Sequence, residues 1–239
     1  MTPGVQQILI GVAVAVCSYF SGNINVAIII SKLKGRDIRS SGSGNPGTMN
    51  MLRTFGIGLG LLNLALEVLK GVIPSLLGWL FMGRDEICVL GSDKIGLYIA
   101  GFFVTLGHVY PVVMKFKGGK GAATIIGVCL TMQPLWTAVS FLAGVVFLLT
   151  VKVGSLTSFI MMCAPIVVEG ASIVPSEHAA IVKLCFLAAL FCLTLFAHRS
   201  NIAKLFSGRE RLVVLFKPKR IKPLSSATAS EFDGVIVSE

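Results

Sequence analysis

Apolar residues run almost unbroken through four stretches, about residues 5–31, 56–82, 95–114 and 179–198. A hydrocarbon core of about 30 Å takes roughly 20 apolar residues in helical form, so each stretch predicts a membrane-spanning helix. A further apolar region, 122–175, is interrupted by Met132-Gln133-Pro134 and again between Lys152 and Ser155. These interruptions predict three spans, about 122–133, 134–150 and 155–173. The first of them is short: some 12 helical residues rise only about 18 Å. A single bent or re-entrant span is therefore an alternative there.

Composition supports the pattern. The chain has 239 residues, 54% of them hydrophobic and 13% charged, whereas soluble domains average about 25% charged residues. This predicts an all-α, polytopic integral membrane protein. The N-terminal "MTPGVQQILIGVAVAV" lacks a basic leader and reads as an uncleaved first span. Six scattered cysteines form no C-x-x-C pair. Most lie in apolar runs, where a free thiol behaves as a small hydrophobe, so neither a disulfide framework nor a zinc site is expected.

The net charge of +10 changes the picture through its placement. Basic residues follow the first span (Lys32, Lys34, Arg36, Arg39, Arg53), the third (Lys115, Lys117, Lys120) and the last (from Arg199 to Lys222), while "VEGASIVPSEH" has no Lys or Arg. Cytoplasmic loops concentrate Lys and Arg. All these segments are cytoplasmic if the N-terminus is outside, the C-terminus inside and the number of spans odd. Five or seven spans satisfy this, and Lys152 on the inner side favours seven. One membrane domain over residues 1–222 and a polar cytoplasmic tail over 223–239 are expected. No nucleic-acid motif accompanies the charge.

Three of the inner segments are rich in glycine and polar residues: Gly35 to Gly56, Gly107 to Thr124, and His198 to Glu210. Non-helical backbone near a membrane needs hydrogen-bond partners or a water-filled cavity, so three such segments on one face suggest a shared polar site. "KFKGGKGAAT" (Lys115 to Thr124) looks like a phosphate loop. It fails the nucleotide pattern G-x-x-x-x-G-K-[ST], because Gly121 follows Lys120. Two readings remain for it: an anion cradle of Gly118, Gly119, Lys120 and Gly121 at the start of a helix, or a basic turn placed by topology. The first segment favours the cradle, since Ser41, Ser43, Asn45 and Asn50 stand among glycines and Arg53, a bidentate phosphate binder, follows. His108, near a helix end, reads more readily as a structural hydrogen-bonder than as a catalyst. His198 and Asn201 share a helical face and are better candidates. No H-E-x-x-H or carboxylate cluster suggests a metal.

Together the three segments resemble the PlsY family of bacterial acyl-phosphate:glycerol-3-phosphate acyltransferases. Asp37 through Arg53 is similar to D-I-R-x-x-G-S-G-N-x-G-x-x-N-x-x-R, and Gly107 through Thr124 to G-H-x-x-P-x-x-x-x-F-x-G-G-K-G-x-A-T. His198 through Glu210 resembles H-x-x-N-I-x-R-L-x-x-G-x-E. The resemblance implies seven helices in the bacterial inner membrane and transfer of a fatty acyl group from acyl phosphate to the 1-hydroxyl of glycerol 3-phosphate, giving lysophosphatidic acid and phosphate. It implies Ser43, His198 and Asn201 as catalytic, with Glu210 structural. Substrate binding would fall to Asn45, Asn50, Arg53, His108, Gly118, Gly119, Lys120, Gly121, Thr124 and Ser158. A weaker match, "KVGSLTS", also brings Ser155 near the site. No cofactor, metal or nucleotide is expected; the partners are the two substrates and membrane lipid.

The chain departs from the family pattern in three places. Thr48-Met49 stands where the family reads Ala-Thr, which removes a hydroxyl, and Lys152 and Lys204 stand where it favours Arg, which alone grips bidentately. The general base stays open between a substrate phosphate and His198. The competing functions are a transporter or channel for a phosphorylated solute, and a relative with altered substrate. Against a transporter, mid-membrane charges are almost confined to Glu67 and Lys70.

Overall fold

The computed structural model describes residues 3–82, 94–175, 179–210 and 213. The expected tail over 223–239 lies outside these residues. Those described form helices α1 (Pro3–Gly22), α2 (Val26–Leu33), α3 (Thr48–Phe55), α4 (Ile57–Met82), α5 (Ile95–Val109), α6 (Ala122–Met132), α7 (Pro134–Thr150), α8 (Gly154–Ser172) and α9 (Ala180–Phe206), with short 3-10 turns at Ile38–Ser40 and Val112–Met114. There is no strand among them.

The expected apolar stretches are largely helical, and among the described residues five segments are long and apolar enough to cross a membrane: Gly4–Leu33, Ile57–Met82, Ile95–Met114, Gly154–Ser172 and Ala180–Phe206. The region after Gly121 forms two separate, shorter helices, α6 and α7, as the proline predicts. Pro134 opens α7, where its missing N–H costs nothing. The last helix runs eight residues past the expected end at 198, to Phe206, and so carries Asn201 on a continuous helical face with His198.

The first stretch differs from expectation. It is not one helix over 5–31 but two, divided at Asn23-Ile24-Asn25. Asn25 caps α2 by accepting from the Ile28 N–H at 3.1 Å, and Asn23 donates back to the Tyr19 carbonyl at 2.6 Å. A short polar side chain competes with the backbone for its own hydrogen bonds, and two flanking one residue end a helix that hydropathy alone would continue.

Helices α4 and α5 form the centre, with α1 against both, α6 against α4, α9 against α5, and α7 against α8. Glycines set the closest crossings. A Cβ on Gly71 of α4 would strike the Thr124 carbonyl of α6, and one on Gly127 of α6 would strike the Val68 carbonyl. Gly78 and Gly96 play the same part between α4 and α5, and Gly22 and Gly107 between α1 and α5. Lipid supplies no hydrophobic force between helices, so small residues that let backbones touch are what pack them. The main apolar core joins α5, α6, α8 and α9 around Tyr98, Val104, Ile125, Val128, Met162 and Leu190. Large apolar side chains such as Ile8, Leu80, Leu142 and Ile181 point outward, as a lipid-facing surface requires.

Candidate active site

The loop between α2 and α3 is held from inside. Ser31 accepts from the Ile38 N–H at 3.1 Å. The Asp37 carboxylate caps the 3-10 turn and pairs with Arg39 at 2.6 Å. These hydrogen bonds from Arg39 hold the Asp37 carboxyl well below the usual carboxylate range. Asn50 is buried; its carbonyl oxygen accepts from the Ser43 N–H (3.0 Å) while its amide donates to Ile38 O (3.2 Å) and Ser41 O (2.9 Å). Gly42, at φ +60°, lies so close to this amide that a Cβ would collide with it. The sequence places Asn50 at substrate; the structure shows its amide fixing the backbone at Ser43. Asn25 ties the next residues down by donating to the Pro46 carbonyl at 3.2 Å.

After α5 the chain turns through left-handed Lys115 and Phe116 and folds back on the helix it has just left. The Gly118 N–H donates to Val109 O (3.2 Å) and the Gly119 N–H to His108 O (3.1 Å). Those two amides, expected in the anion cradle, are satisfied within the protein. A loop that must return to its own helix end takes the exposed carbonyls there as acceptors. The donors left for an anion begin later, at Lys120, Gly121 and the first turn of α6, whose early amides have no intrahelical acceptor. Gly121, at φ +81°, makes the turn into that helix.

Lys120 donates to the Asn201 side-chain oxygen on α9. Burial pushes its ammonium down to about 8, against the pull of Glu210 and with the push of Lys204 and Arg53. That pattern of influences puts one carboxylate and three cations around one space. His198 is buried, its Nδ1 2.9 Å from the Thr194 carbonyl and its ring tilted against Phe159. A carbonyl can only accept, so Nδ1 carries a proton, and in the neutral ring Nε2 is the acceptor. At the start of α8, Ser158 donates to its own helix at Gly154 O (3.1 Å), whereas the buried Ser155 hydroxyl has no hydrogen-bond partner.

These residues line one cavity of about 490 Å³. Its polar part holds Ser43, Asn45, Asn50, Arg53, Lys120, Gly121, Ser155, Ser158, His198, Asn201, Lys204 and Glu210. Its apolar part runs between α4, α6, α7 and α8 past Leu61, Leu64, Ile126, Phe141, Val145 and Met161. A charged head and an apolar body in one continuous space match an amphiphile. Met49 lines the cavity where it packs against Gly154, which has no Cβ to displace it, and Thr48 accepts from Asn63 at 2.9 Å. The Thr48 hydroxyl is thus engaged with α4.

Two expected substrate contacts lie deeper. Thr124 is buried and donates to Glu67 at 3.1 Å. His108, also buried, meets Lys70 and Glu67 at the cavity floor. Along the sequence Glu67 and Lys70 stand out only as isolated mid-membrane charges. The available signal was their spacing, three residues apart on a helix and so neighbours on one face. A second buried cluster, Tyr98 and Gln133 donating to Glu169, braces the α6–α7 junction toward the other end of the bundle.

Comparison with known proteins gives consistent findings. The glycerol-3-phosphate acyltransferase family model matches residues 12–208. The chain is 36% identical over 200 residues to the glycerol-3-phosphate acyltransferase of Finegoldia magna, covering 83% of this chain and 94% of that protein. It is 39% identical over 200 residues to that of Thermoanaerobacter pseudethanolicus, with 83% and 93% covered. Among solved structures it is similar to the glycerol 3-phosphate form of PlsY, an integral membrane glycerol 3-phosphate acyltransferase, at TM-score 0.70 and 32% identity, covering 84% of this chain and 94% of that one. The lysophosphatidic acid form of PlsY matches at TM-score 0.67 and 30% identity, with 86% and 96% covered.

Proposed function

Since the chain belongs to the glycerol-3-phosphate acyltransferase family, we propose that it acylates the 1-hydroxyl of glycerol 3-phosphate with a fatty acyl group taken from acyl phosphate. The observation that carries this reading is the cavity itself, where Arg53, Lys120 and Lys204 meet an apolar channel between helices. Two phosphate dianions bring about four negative charges, and a lipid chain needs an apolar path.

In this reading Lys120, the Gly121 amide and the first turn of α6 hold the donor phosphate. Arg53 and Ser158 hold glycerol 3-phosphate, and Ser43, Asn45 and Asn201 orient the acceptor hydroxyl and the donor carbonyl. The hydroxyl oxygen bonds to the acyl carbon, the bond from that carbon to the phosphate oxygen breaks, and the hydroxyl proton ends on the departing phosphate. Acyl phosphate carries a good leaving group, so orientation and charge stabilisation suffice without an acyl-enzyme. His198, with Nε2 as acceptor, receives a hydrogen bond from the acceptor alcohol. Glu210 faces the cations and fixes their placement. The protein spans a bacterial inner membrane seven times with its N-terminus outside; the clustering of all three polar segments in one cavity supports that sidedness.

The test is purified protein with labelled glycerol 3-phosphate and either palmitoyl phosphate or palmitoyl-CoA. Lysophosphatidic acid is expected with the phosphate donor alone. Product with neither donor would remove the acyltransferase reading, and product only with the CoA ester would remove the donor.

The base is decided by His198→Gln. Glutamine keeps an acceptor but cannot titrate, so turnover within about tenfold of wild type and an unchanged pH profile are expected of substrate-assisted proton transfer. A loss at the top of the usual 10²–10⁴-fold range for a general base would assign that role to His198.

Lys120 predicts a pH dependence. Its charge is present below about 8 and is lost as pH rises through that value. Because kcat/KM reports groups of the free enzyme, kcat/KM for the phosphate donor is expected to fall above pH 8. Lys120→Arg, which stays charged, should abolish that alkaline limb. A limb unchanged in the arginine variant would assign it elsewhere.

A further inference from the structure

Beneath the cavity, the break between α1 and α2 leaves backbone groups of Ile24 and Val26 without helical partners inside the bundle. Two side chains of α4 meet them: Lys70 Nζ donates to Ile24 O at 2.7 Å, and Glu67 Oε1 accepts from the Val26 N–H at 3.1 Å. The other Glu67 oxygen lies 2.6 Å from Lys70 Nζ and accepts from Thr124 of α6 at 3.1 Å. One ion pair therefore joins the break below the serine loop to the helix that follows the phosphate loop. Unsatisfied backbone within a membrane costs several kcal/mol, which accounts for two charges in an otherwise apolar helix.

The same pair decides the state of His108. Lys70 has three N–H donors and three neighbours in reach: Glu67 Oε2 at 2.6 Å, Ile24 O at 2.7 Å and His108 Nδ1 at 2.8 Å. A proton on Nδ1 would set two donors head to head at that last contact. Protons on both nitrogens would in addition leave a second buried cation against one carboxylate, and uncompensated buried charge is strongly destabilising. Nδ1 also lies 3.1 Å from Glu67 Oε2. That oxygen already accepts from Lys70 and Thr124, and the ammonium is nearer to the ring, at 2.8 Å. On this geometry Nδ1 accepts from Lys70 and the ring proton sits on Nε2. That edge of the ring lies against Gly119, where a Cβ would collide with Nε2, and Gly119 is also bonded to the His108 carbonyl.

We propose that Glu67 and Lys70 are positioning residues that fix His108 as its neutral Nε2–H tautomer, so that a hydrogen-bond donor and not a lone pair underlies the phosphate loop at Gly119. The functional half rests on the reading of that loop as the seat of the donor phosphate. A lone pair there would oppose an anion one residue away at Lys120; an N–H edge favours it.

Nitrogen-15 histidine NMR of the whole purified protein tests this without any substitution, since the chain has only three histidines. The His108 signals are assigned by their loss in His108→Gln. The expected result is a neutral ring with the proton on Nε2. A proton on Nδ1, or on both nitrogens, overturns the proposal. In Lys70→Met the donor to Nδ1 is gone and one site on the Glu67 carboxylate is freed, so the tautomer is expected to flip, with Nδ1–H donating to Glu67 Oε2, which already lies 3.1 Å from it. KM for acyl phosphate should then rise, by less than the about 10–100-fold that loss of a direct hydrogen bond to a charged group would give, while KM for glycerol 3-phosphate stays near wild type. A flipped tautomer with wild-type kinetics, or an equal rise in both KM values, overturns the functional half. Should wild-type protein not use acyl phosphate at all, the reading of the site fails, and the wild-type spectrum still decides the tautomer.

Discussion

Lys120→Ala is expected to lower acyl transfer by about 10²–10³-fold, the usual loss when one preorganised donor to developing charge is removed. Three features of Lys120 place it at the top of the order of effects. It donates to Asn201 of α9, so its ammonium bridges the phosphate loop and the third polar segment. It is substantially buried, enough to bring its ammonium to about 8, and charge in a water-poor site acts more strongly than charge on a surface. It also follows the two glycines whose amides are occupied by His108 and Val109. With those amides unavailable, the proposed donor phosphate would rest more on the ammonium and the first turn of α6. Steady-state kinetics with both substrates varied are the measurement. The loss should appear mainly in kcat, since charge builds on the leaving phosphate in the transition state. Lys120→Arg should recover part of it at pH 7, because charge returns without the same point geometry. A Lys120→Ala enzyme within threefold of wild type would remove Lys120 from the site.

Gly127→Ala is expected to produce a large loss of stability from a single methyl group. The added Cβ points into the Val68 carbonyl of α4, beside Gly71, whose own Cβ would meet the Thr124 carbonyl. Backbone faces backbone at this crossing, so no side chain can rotate away and the helices must separate. Overpacking costs typically about 1–3 kcal/mol, occasionally more, and a rigid crossing belongs at the upper end. For a chain of this size about 3 kcal/mol corresponds to roughly 6–12 °C in melting temperature. Separation of α4 from α6 also pulls Glu67 away from Thr124, so activity should fall before the protein unfolds. Gly58→Ala is the control, since nothing lies within 4 Å of a Cβ there. It should leave the melting temperature within about 2 °C, in line with substitutions away from packed features. Equal melting temperatures for the two variants would refute the crossing argument.

The sidedness of the two halves of the site explains why the same segment can be catalytic and structural. Asn50, Thr124 and His108 stand in glycine-rich runs beside the cavity, yet their side chains turn inward to Ser43, Glu67 and Lys70. Asn50→Ala is on this view a defect of loop geometry. Its cost should register in kcat at least as strongly as in KM, because it displaces Ser43.

Most of the helices and the residue types of the three polar segments were legible along the chain; the division of the first stretch into α1 and α2 was not. Hydropathy is a local property that backbone satisfaction in a membrane enforces residue by residue. A proline at residue 134 and two asparagines at 23 and 25 stop helices through their own backbone chemistry, although the second signal was hidden inside an apolar run. The residue types at Ser43, Arg53, Lys120, His198 and Asn201 likewise needed no structure to suggest an anion site, and they meet in one cavity. What tertiary structure decided was which donors remain available there. The Gly118 and Gly119 amides close on α5, the Thr124 hydroxyl closes on Glu67, and Glu67 with Lys70 completes a helix break more than 40 residues earlier. For the Glu67 and Lys70 pairs, no local sequence window contains both members. A hydrogen bond inside a membrane is set by which helices glycine lets touch, and that is settled only when the bundle has packed.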